Sequence, residues 1–145
     1  MPIRGRGIDL DTLYLAETQA STNTTLNATT SATGNVALTL GPFNVEGPGT
    51  FYVEVFTPSL VKGTTNVSLE LWLDGAPGTG TVLTTLTGLL TATATPCNSI
   101  VRVSLTNGNH TLRVAGFVDA GSGTFTGGVG TTGTFPNSWA RIWRA

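Results

Sequence analysis

Few residues in this chain have the type and spacing that catalysis needs. His110 is the only histidine and Cys97 the only cysteine, so a nucleophile–base site would have to use one or both of them. A lone histidine supplies one ligand to a metal, and Cys97 has no second cysteine with which to form a disulfide. We expect His110 to lie exposed beside the Asn107-Gly108 turn and to have no catalytic role.

Three further patterns fall short of a chemical site. GVGTTG at residues 128–133 matches the dinucleotide-binding string, but that motif needs a helix after it, and no helical pattern follows here. Glu54 and Glu70 would work as a glycosidase pair only in a cleft, so we interpret them as solvent-facing or arginine-paired. Asp9 and Asp11 lack the other oxygen ligands of a calcium loop. The sequence predicts no catalytic residue, no cofactor, no metal and no enzyme.

The aromatic residues carry the stronger functional signal. With alternate residues of 51–55 turned to the core, Tyr52 and Phe56 lie on the opposite face of their strand, and Trp72 lies opposite the apolar residues of its own strand. Trp139 and Trp143 share a face with Arg141. An aromatic face beyond the needs of a two-layer core must be covered by something else. We therefore assign these residues to an oligomer interface or a ligand platform: Tyr52, Phe56, Trp72, Trp139 and Trp143.

The elements that position these residues are β-strands. The chain has 145 residues, 28 of them threonine and 19 glycine, with 10% charged residues and a net charge of −1. Threonine suits half-exposed strands and glycine suits turns. Seven period-two segments, separated by Gly, Pro and Asn, predict an antiparallel β-sandwich or jelly roll with an extended N-terminal arm. The segments are 35–40, 50–57, 66–74, 81–90, 99–106, 109–118 and 138–144.

One connection is specified more closely. Asn107-Gly108 lies between two alternating runs, a pattern typical of a type I′ hairpin. That hairpin would pair Val103 with Leu112 and would place Arg102 opposite Arg113, where like charges repel. A neighbouring acidic residue, another subunit or an anionic ligand would then have to compensate, unless the two side chains splay into water.

The sequence divides into an arm and a body. Residues 1–34 form the predicted N-terminal arm with a polar tether or edge strand, and residues 35–145 form the β-sandwich domain. The segment 18–34 is almost purely Thr, Ser, Asn and Ala, which cannot bury enough apolar surface to fold alone. We expect the arm to dock on a partner through two arginines and three apolar residues: Arg4, Arg6, Ile8, Leu10 and Leu13.

In these features residues 35–145 resemble the trimeric jelly rolls of the C1q/TNF-like type. They also resemble the small sandwich proteins of tailed-bacteriophage virions, which serve as capsid decoration or tail appendages. The resemblance implies a non-enzymatic virion protein that self-associates as a homotrimer and docks on a major capsid or tail protein. A carbohydrate- or receptor-binding module, with a surface glycan as its partner, is the alternative.

Charge and hydropathy restrict the remaining partners. A net charge of −1 gives no overall electrostatic footprint for nucleic acid, and near-zero charge favours association. No run of 18 apolar residues predicts a membrane span, and the first residues lack the apolar run of a signal peptide. Charge and hydropathy thus predict no nucleic-acid or membrane partner. The resemblance to virion proteins implies a protein that is assembled in the host cytoplasm and located in the virion.

Overall fold

A computed structural model describes residues 14–130, 133–134 and 136–145, which fold into two antiparallel β-sheets packed face to face. Strands make up 65% of the chain, and a short 3-10 turn covers Ser31–Thr33. Within these residues no helix is long and apolar enough to cross a membrane. The predicted β-sandwich of jelly-roll type is confirmed.

The two sheets have different strand orders. The front sheet runs β1 (Ala16–Ala20), β12 (Ser138–Arg144), β4 (Gly49–Val61) and β7 (Ala94–Leu105). The short strands β9 (Gly123–Phe125) and β2 (Thr24–Leu26) extend it from the far end of β4. The back sheet runs β3 (Asn35–Val45), β8 (Gly108–Val118), β5 (Val67–Leu73) and β6 (Thr81–Leu90). Two short strands, β10 (Val129–Gly130) and β11 (Gly133–Thr134), pair with each other.

Alternation along the strands builds the core between the sheets. In β12, Ala140 and Ile142 are buried while Trp139, Arg141 and Trp143 point to the other side. The front sheet also sends Phe51, Val53 and Val55 inward, and the back sheet meets them with the apolar face of β5 and β8. The core residues of these two strands are Val67, Leu69, Leu71, Leu112, Val114 and Val118.

Strands β3 and β4 run further than the sequence pattern indicates. Proline has no N–H to give to a ladder, so we expect the strands to end near Pro42 and Pro58. Instead β3 shifts register between Leu40 and Phe43, and β4 shifts between Thr57 and Leu60. Each irregularity takes the proline out of the ladder and lets the strand continue.

The predicted hairpin at Asn107-Gly108 is wrong. Strand β7 pairs with β4 in the front sheet, and β8 pairs with β3 and β5 in the back sheet, so the turn is a corner between sheets. Gly108 has φ of 124°, whereas Asn107 has no positive φ, which excludes a type I′ turn. Asn107 Oδ1 instead accepts the Gly47 N–H at 2.8 Å. Arg102 faces Tyr52 in one sheet and Arg113 faces Trp72 in the other, so the two arginines do not repel each other across a ladder.

The described part of residues 1–34 contributes to the sandwich. Residues 16–20 form the edge strand β1 on β12, residues 24–26 form β2, and residues 31–33 form the 3-10 turn. Residues 16–20 therefore form an edge strand. This polar segment is held in place by its hydrogen bonds to β12. Residues 1–13 lie outside the described residues, among them Arg4, Arg6, Ile8, Leu10 and Leu13 of the predicted docking arm, and Asp9 and Asp11.

Candidate interaction surface

The outer side of the front sheet, which we call the front face, collects four of the five predicted aromatic residues. Cross-strand neighbours place Trp139 beside Phe56 and Trp143 beside Tyr52, because β12 and β4 are antiparallel and adjacent. All four side chains are half-buried. The fifth aromatic residue, Trp72, lies on the opposite side of the molecule.

The rings of the front face pack against each other. Phe56 and Trp139 are stacked with centroids 5.6 Å apart, and Tyr52 and Trp143 lie 5.9 Å apart at 39°. Tyr14 meets Trp143 edge to face at 5.8 Å. Pairs of this kind add to the stability that burial gives. The rings are therefore partly covered by one another within a single chain.

An ion pair occupies the centre of the front face. Arg141 Nε and Nη2 both lie 2.9 Å from Glu54 Oε2, across the β12–β4 ladder. The guanidinium carbon stands 4.1 Å from the Trp139 ring centroid and 4.8 Å from the Tyr14 ring centroid, so both rings also contact the cation. The two charges cancel, and the middle of the face is electrically neutral. The expectation that Glu54 is arginine-paired is confirmed.

Exposed apolar side chains flank the ring cluster on both edges of the front face. Three large hydrophobic residues of the described chain are exposed: Leu15 at 39%, Val82 at 47% and Ile100 at 58%. Leu15 immediately precedes β1, and its N–H donates to the Ile142 carbonyl. Ile100 lies on β7 between core-facing neighbours, so its side chain points to the front face. The exposure of Leu15 and Ile100 was not predicted from the sequence, although Ile100 is out of phase with the apolar alternation of its strand.

Trp72 requires a correction. It lies on the outer side of the back sheet and is only 6% exposed, because the chain itself covers it. Its Nε1 donates to Glu70 Oε2 at 3.2 Å, and the Ser31 hydroxyl of the 3-10 turn donates to the same oxygen. The Ala32 carbonyl in turn lies against Gly78, whose φ is 84°. Trp72 therefore has almost no surface left for a partner.

Glu54 and Glu70 cannot act as a pair. Glu54 lies on the front face and Glu70 on the outer side of the back sheet, with the whole core between them. Glu70 binds Trp72 and Ser31, and Glu54 binds Arg141. Each carboxylate thus has a structural partner, and the two groups share no cleft in which a substrate could lie.

His110 is buried, contrary to the expectation of an exposed turn residue. Its side chain is 7% exposed, with Nδ1 2.8 Å from Asp74 Oδ2 and Nε2 2.9 Å from the Thr106 carbonyl oxygen. Both partners are acceptors, so a protonated ring, with an N–H on each nitrogen, can donate to both of them. The hydrogen bond to Asp74, aided by that to Thr106, raises the pKa of His110 although burial opposes it. His110 therefore ties the corner after β7 to the end of β5.

The remaining candidate groups are accounted for by their surroundings. Cys97 is buried, and burial raises the pKa of its thiol, which keeps it protonated and unreactive. No group of three or more metal-ligating side chains occurs among the described residues. Of the 128–133 string, residues 131 and 132 lie outside the described residues.

A cleft of about 550 Å³ opens beside the front face, between Tyr14, Glu46 and Arg144. Arg144 Nη2 donates to the carbonyl oxygens of Glu46 and Gly47, and its guanidinium carbon lies 4.8 Å from the Phe51 ring centroid. The Arg144 guanidinium of this cleft is therefore already bound to main-chain carbonyl oxygens of the chain itself.

Comparisons with known proteins support the fold. No protein-family model matches the sequence. No curated protein is significantly similar to it. The solved structure of Eiger TNF from S. frugiperda is similar with a TM-score of 0.50 and 15% identity, covering 90% of both chains.

Two other solved structures show weaker likeness. A carbohydrate-binding module of Cellvibrio mixtus lichenase 5A, in complex with cellotriose, has a TM-score of 0.41 and 18% identity over 91% of this chain and 98% of that one. Infectious bursal disease virus, Gx strain, has a TM-score of 0.40 and 14% identity over 88% of this chain and 37% of that one. At these identities the likeness is one of fold.

Proposed function

We propose that this chain is a non-enzymatic structural protein that self-associates through its front face as a homotrimer. The observation that carries this proposal is the front face itself, where half-buried rings surround the charge-neutral Arg141–Glu54 pair, with exposed Leu15 and Ile100 at the edges. Apolar patches of this kind on a single chain are typical of protein interfaces. The net charge of −1 leaves little repulsion between copies.

The ring geometry favours a protein partner over a sugar. A sugar stacks on an open ring face, whereas here Trp139 is flanked by Phe56 and by the Arg141 guanidinium. Trp143 likewise contacts both Tyr52 and Tyr14. Ring edges and partly covered faces fit an apolar protein contact better than a glycan platform. Carbohydrate binding is the alternative function, and the test below distinguishes it from self-association.

The wider role in this proposal is capsid decoration or a minor capsid function in a tailed-bacteriophage virion. It rests on the sparsely charged, Thr/Gly-rich composition and on the resemblance of residues 35–145 to small virion sandwich proteins. The arm would hold the oligomer on a major capsid or tail protein through Arg4 and Arg6, which pair with acidic groups, and through Ile8, Leu10 and Leu13, which fill a groove.

Two measurements test this proposal. Sedimentation at micromolar concentration should give about 45 kDa, three times the 15.0 kDa of one chain, and a species of one chain mass would contradict self-association. Immunogold labelling should decorate the surface of virions in electron micrographs, and unlabelled particles would contradict the virion role. A monomer whose affinity for cello-oligosaccharides falls in Trp139→Ala would instead establish the carbohydrate-binding alternative.

A further inference from the structure

The two edges of the front face carry opposite charges. Glu17 on β1 and Arg102 on β7 are both exposed and both point to the front face, as the burial alternation along each strand shows. Within the described residues neither forms an ion pair. The other two charges of the face, Arg141 and Glu54, bind each other. The net effect is a face that is acidic along one edge and basic along the other.

Apolar side chains accompany these charges. Leu15 is exposed immediately before β1, and Ile100 is exposed two residues from Arg102 on the same side of β7, so an exposed apolar residue accompanies the charged one at each edge. Across the four strands the signs alternate as Glu17, Arg141, Glu54 and Arg102. A second copy placed with its β1 edge beside β7 would continue that alternation.

We propose that the copies associate head to tail, with the Leu15–Glu17 edge of one chain against the Ile100–Arg102 edge of the next. This inference rests on the proposed self-association and specifies which edges of neighbouring copies meet. An edge placed against its own kind in a two-fold contact would bring Glu17 to Glu17 or Arg102 to Arg102, which repel. Unlike edges generate a closed ring when the rotation between copies closes, as in a trimer.

Charge exchange tests the pairing. Glu17→Arg and Arg102→Glu should each raise the dissociation constant of the oligomer about tenfold or more, because each creates a like-charge contact. The double variant should return to within about threefold of the native value, since each exchanged charge meets its new partner. Arg113→Glu, which reverses a charge on the outer side of the back sheet, should have little effect. A double variant weaker than both single variants would overturn the pairing.

Cross-linking tests the head-to-tail symmetry. The edges of one chain are three strand spacings apart, about 14 Å, so a shorter bismaleimide cannot link Leu15→Cys to Ile100→Cys within a chain. The double-cysteine variant should give a ladder up to the full oligomer on a denaturing gel, and each single-cysteine variant should give none. The native chain is a control for Cys97, which is buried.

The outcomes separate this inference from the proposed function. Dimers from a single-cysteine variant, without a ladder from the double variant, would overturn the head-to-tail contact while self-association stands. A native chain that sediments as a monomer would overturn the proposed function itself. Circular dichroism of each variant confirms that the sandwich has folded before these results are compared.

Discussion

Arg141 and Glu54 join the two central strands of the front sheet, with Arg141 Nε and Nη2 each 2.9 Å from Glu54 Oε2. The Arg141 side chain is 28% exposed and the Glu54 side chain 12% exposed, so water screens the pair only in part. The same guanidinium packs on the rings of Trp139 and Tyr14. One arginine thus neutralises the centre of the front face and fixes the rings around it.

The first prediction concerns this ion pair. Arg141→Met keeps an unbranched apolar stem but leaves Glu54 partly buried without its cation, so the free energy of unfolding should fall by about 1–3 kcal/mol. Urea denaturation measures the change. Lys62→Met, which removes a cation that has no ion pair among the described residues, serves as the control. Equal stability of the two variants would show that the Arg141–Glu54 pair contributes little.

The second prediction separates the two tryptophans that the sequence treats alike. Trp72→Ala should lower the free energy of unfolding by about 3–5 kcal/mol, because the ring is buried in one chain. Trp139→Ala should cost less in folding, since its ring is half-exposed, but should weaken the oligomer. Thermal unfolding and sedimentation of both variants measure the two effects. A stable Trp72→Ala variant that fails to assemble would restore Trp72 to the interface.

The third prediction concerns pH and His110. The pKa of His110 is raised in the folded chain, so the stability that its imidazolium contributes is present below the unfolded value of about 6.5. That contribution should be lost as the pH rises through the higher folded pKa. The difference in unfolding free energy between the native chain and His110→Gln should therefore shrink from pH 6 toward alkaline pH. A difference that grows with pH would contradict the imidazolium assignment.

The fourth prediction concerns Asp119, which holds the loop before β5. Its carboxylate accepts hydrogen bonds from the Thr65 and Asn66 N–H groups and from the Thr65 hydroxyl, and these bonds hold its pKa far below the usual range. A carboxyl group whose pKa is lowered in the folded chain stabilises the fold at pH values above its unfolded pKa of about 3.9. This stabilisation is lost as the pH falls toward the pKa of the folded chain. Asp119→Asn should thus destabilise the chain at pH 7 and progressively less below about pH 4. Urea denaturation of both chains at several pH values measures the difference in unfolding free energy. A difference that stays constant with pH would contradict this prediction.

The fifth prediction concerns the arm. Deleting residues 1–13 should leave a folded oligomer, since the contacts of Tyr14 and of β1 remain. The deleted chain should no longer bind the capsid or tail protein that we propose as its partner. Extending the deletion through Ala20 removes the edge strand on β12 and should destabilise the sandwich. Cosedimentation with virions and thermal unfolding distinguish the two deletions. An unfolded 14–145 fragment would show that the arm belongs to the fold.

Local pattern predicted the strands and their inward faces, because burial in a sandwich imposes a period of two on residues such as Ala140 and Ile142. It could not predict which sheet each strand joins. Val103 and Leu112 point into the core from opposite sheets, and the same alternation would fit a hairpin. Trp72 is covered with the help of Ser31, which binds Glu70 from 39 positions away. His110 binds Asp74, which is 36 positions away. No local sequence pattern contains such distant contacts.

The mass of the chain in solution tests self-association through the front face most directly. At micromolar concentration, sedimentation equilibrium should give a trimer for the native chain and for Val82→Asp, whose exposed side chain lies on the back sheet. Ile100→Asp, which places a charge on the front face, should dissociate toward the 15.0 kDa monomer. A native monomer, or an Ile100→Asp variant that assembles as tightly as Val82→Asp, would contradict the account.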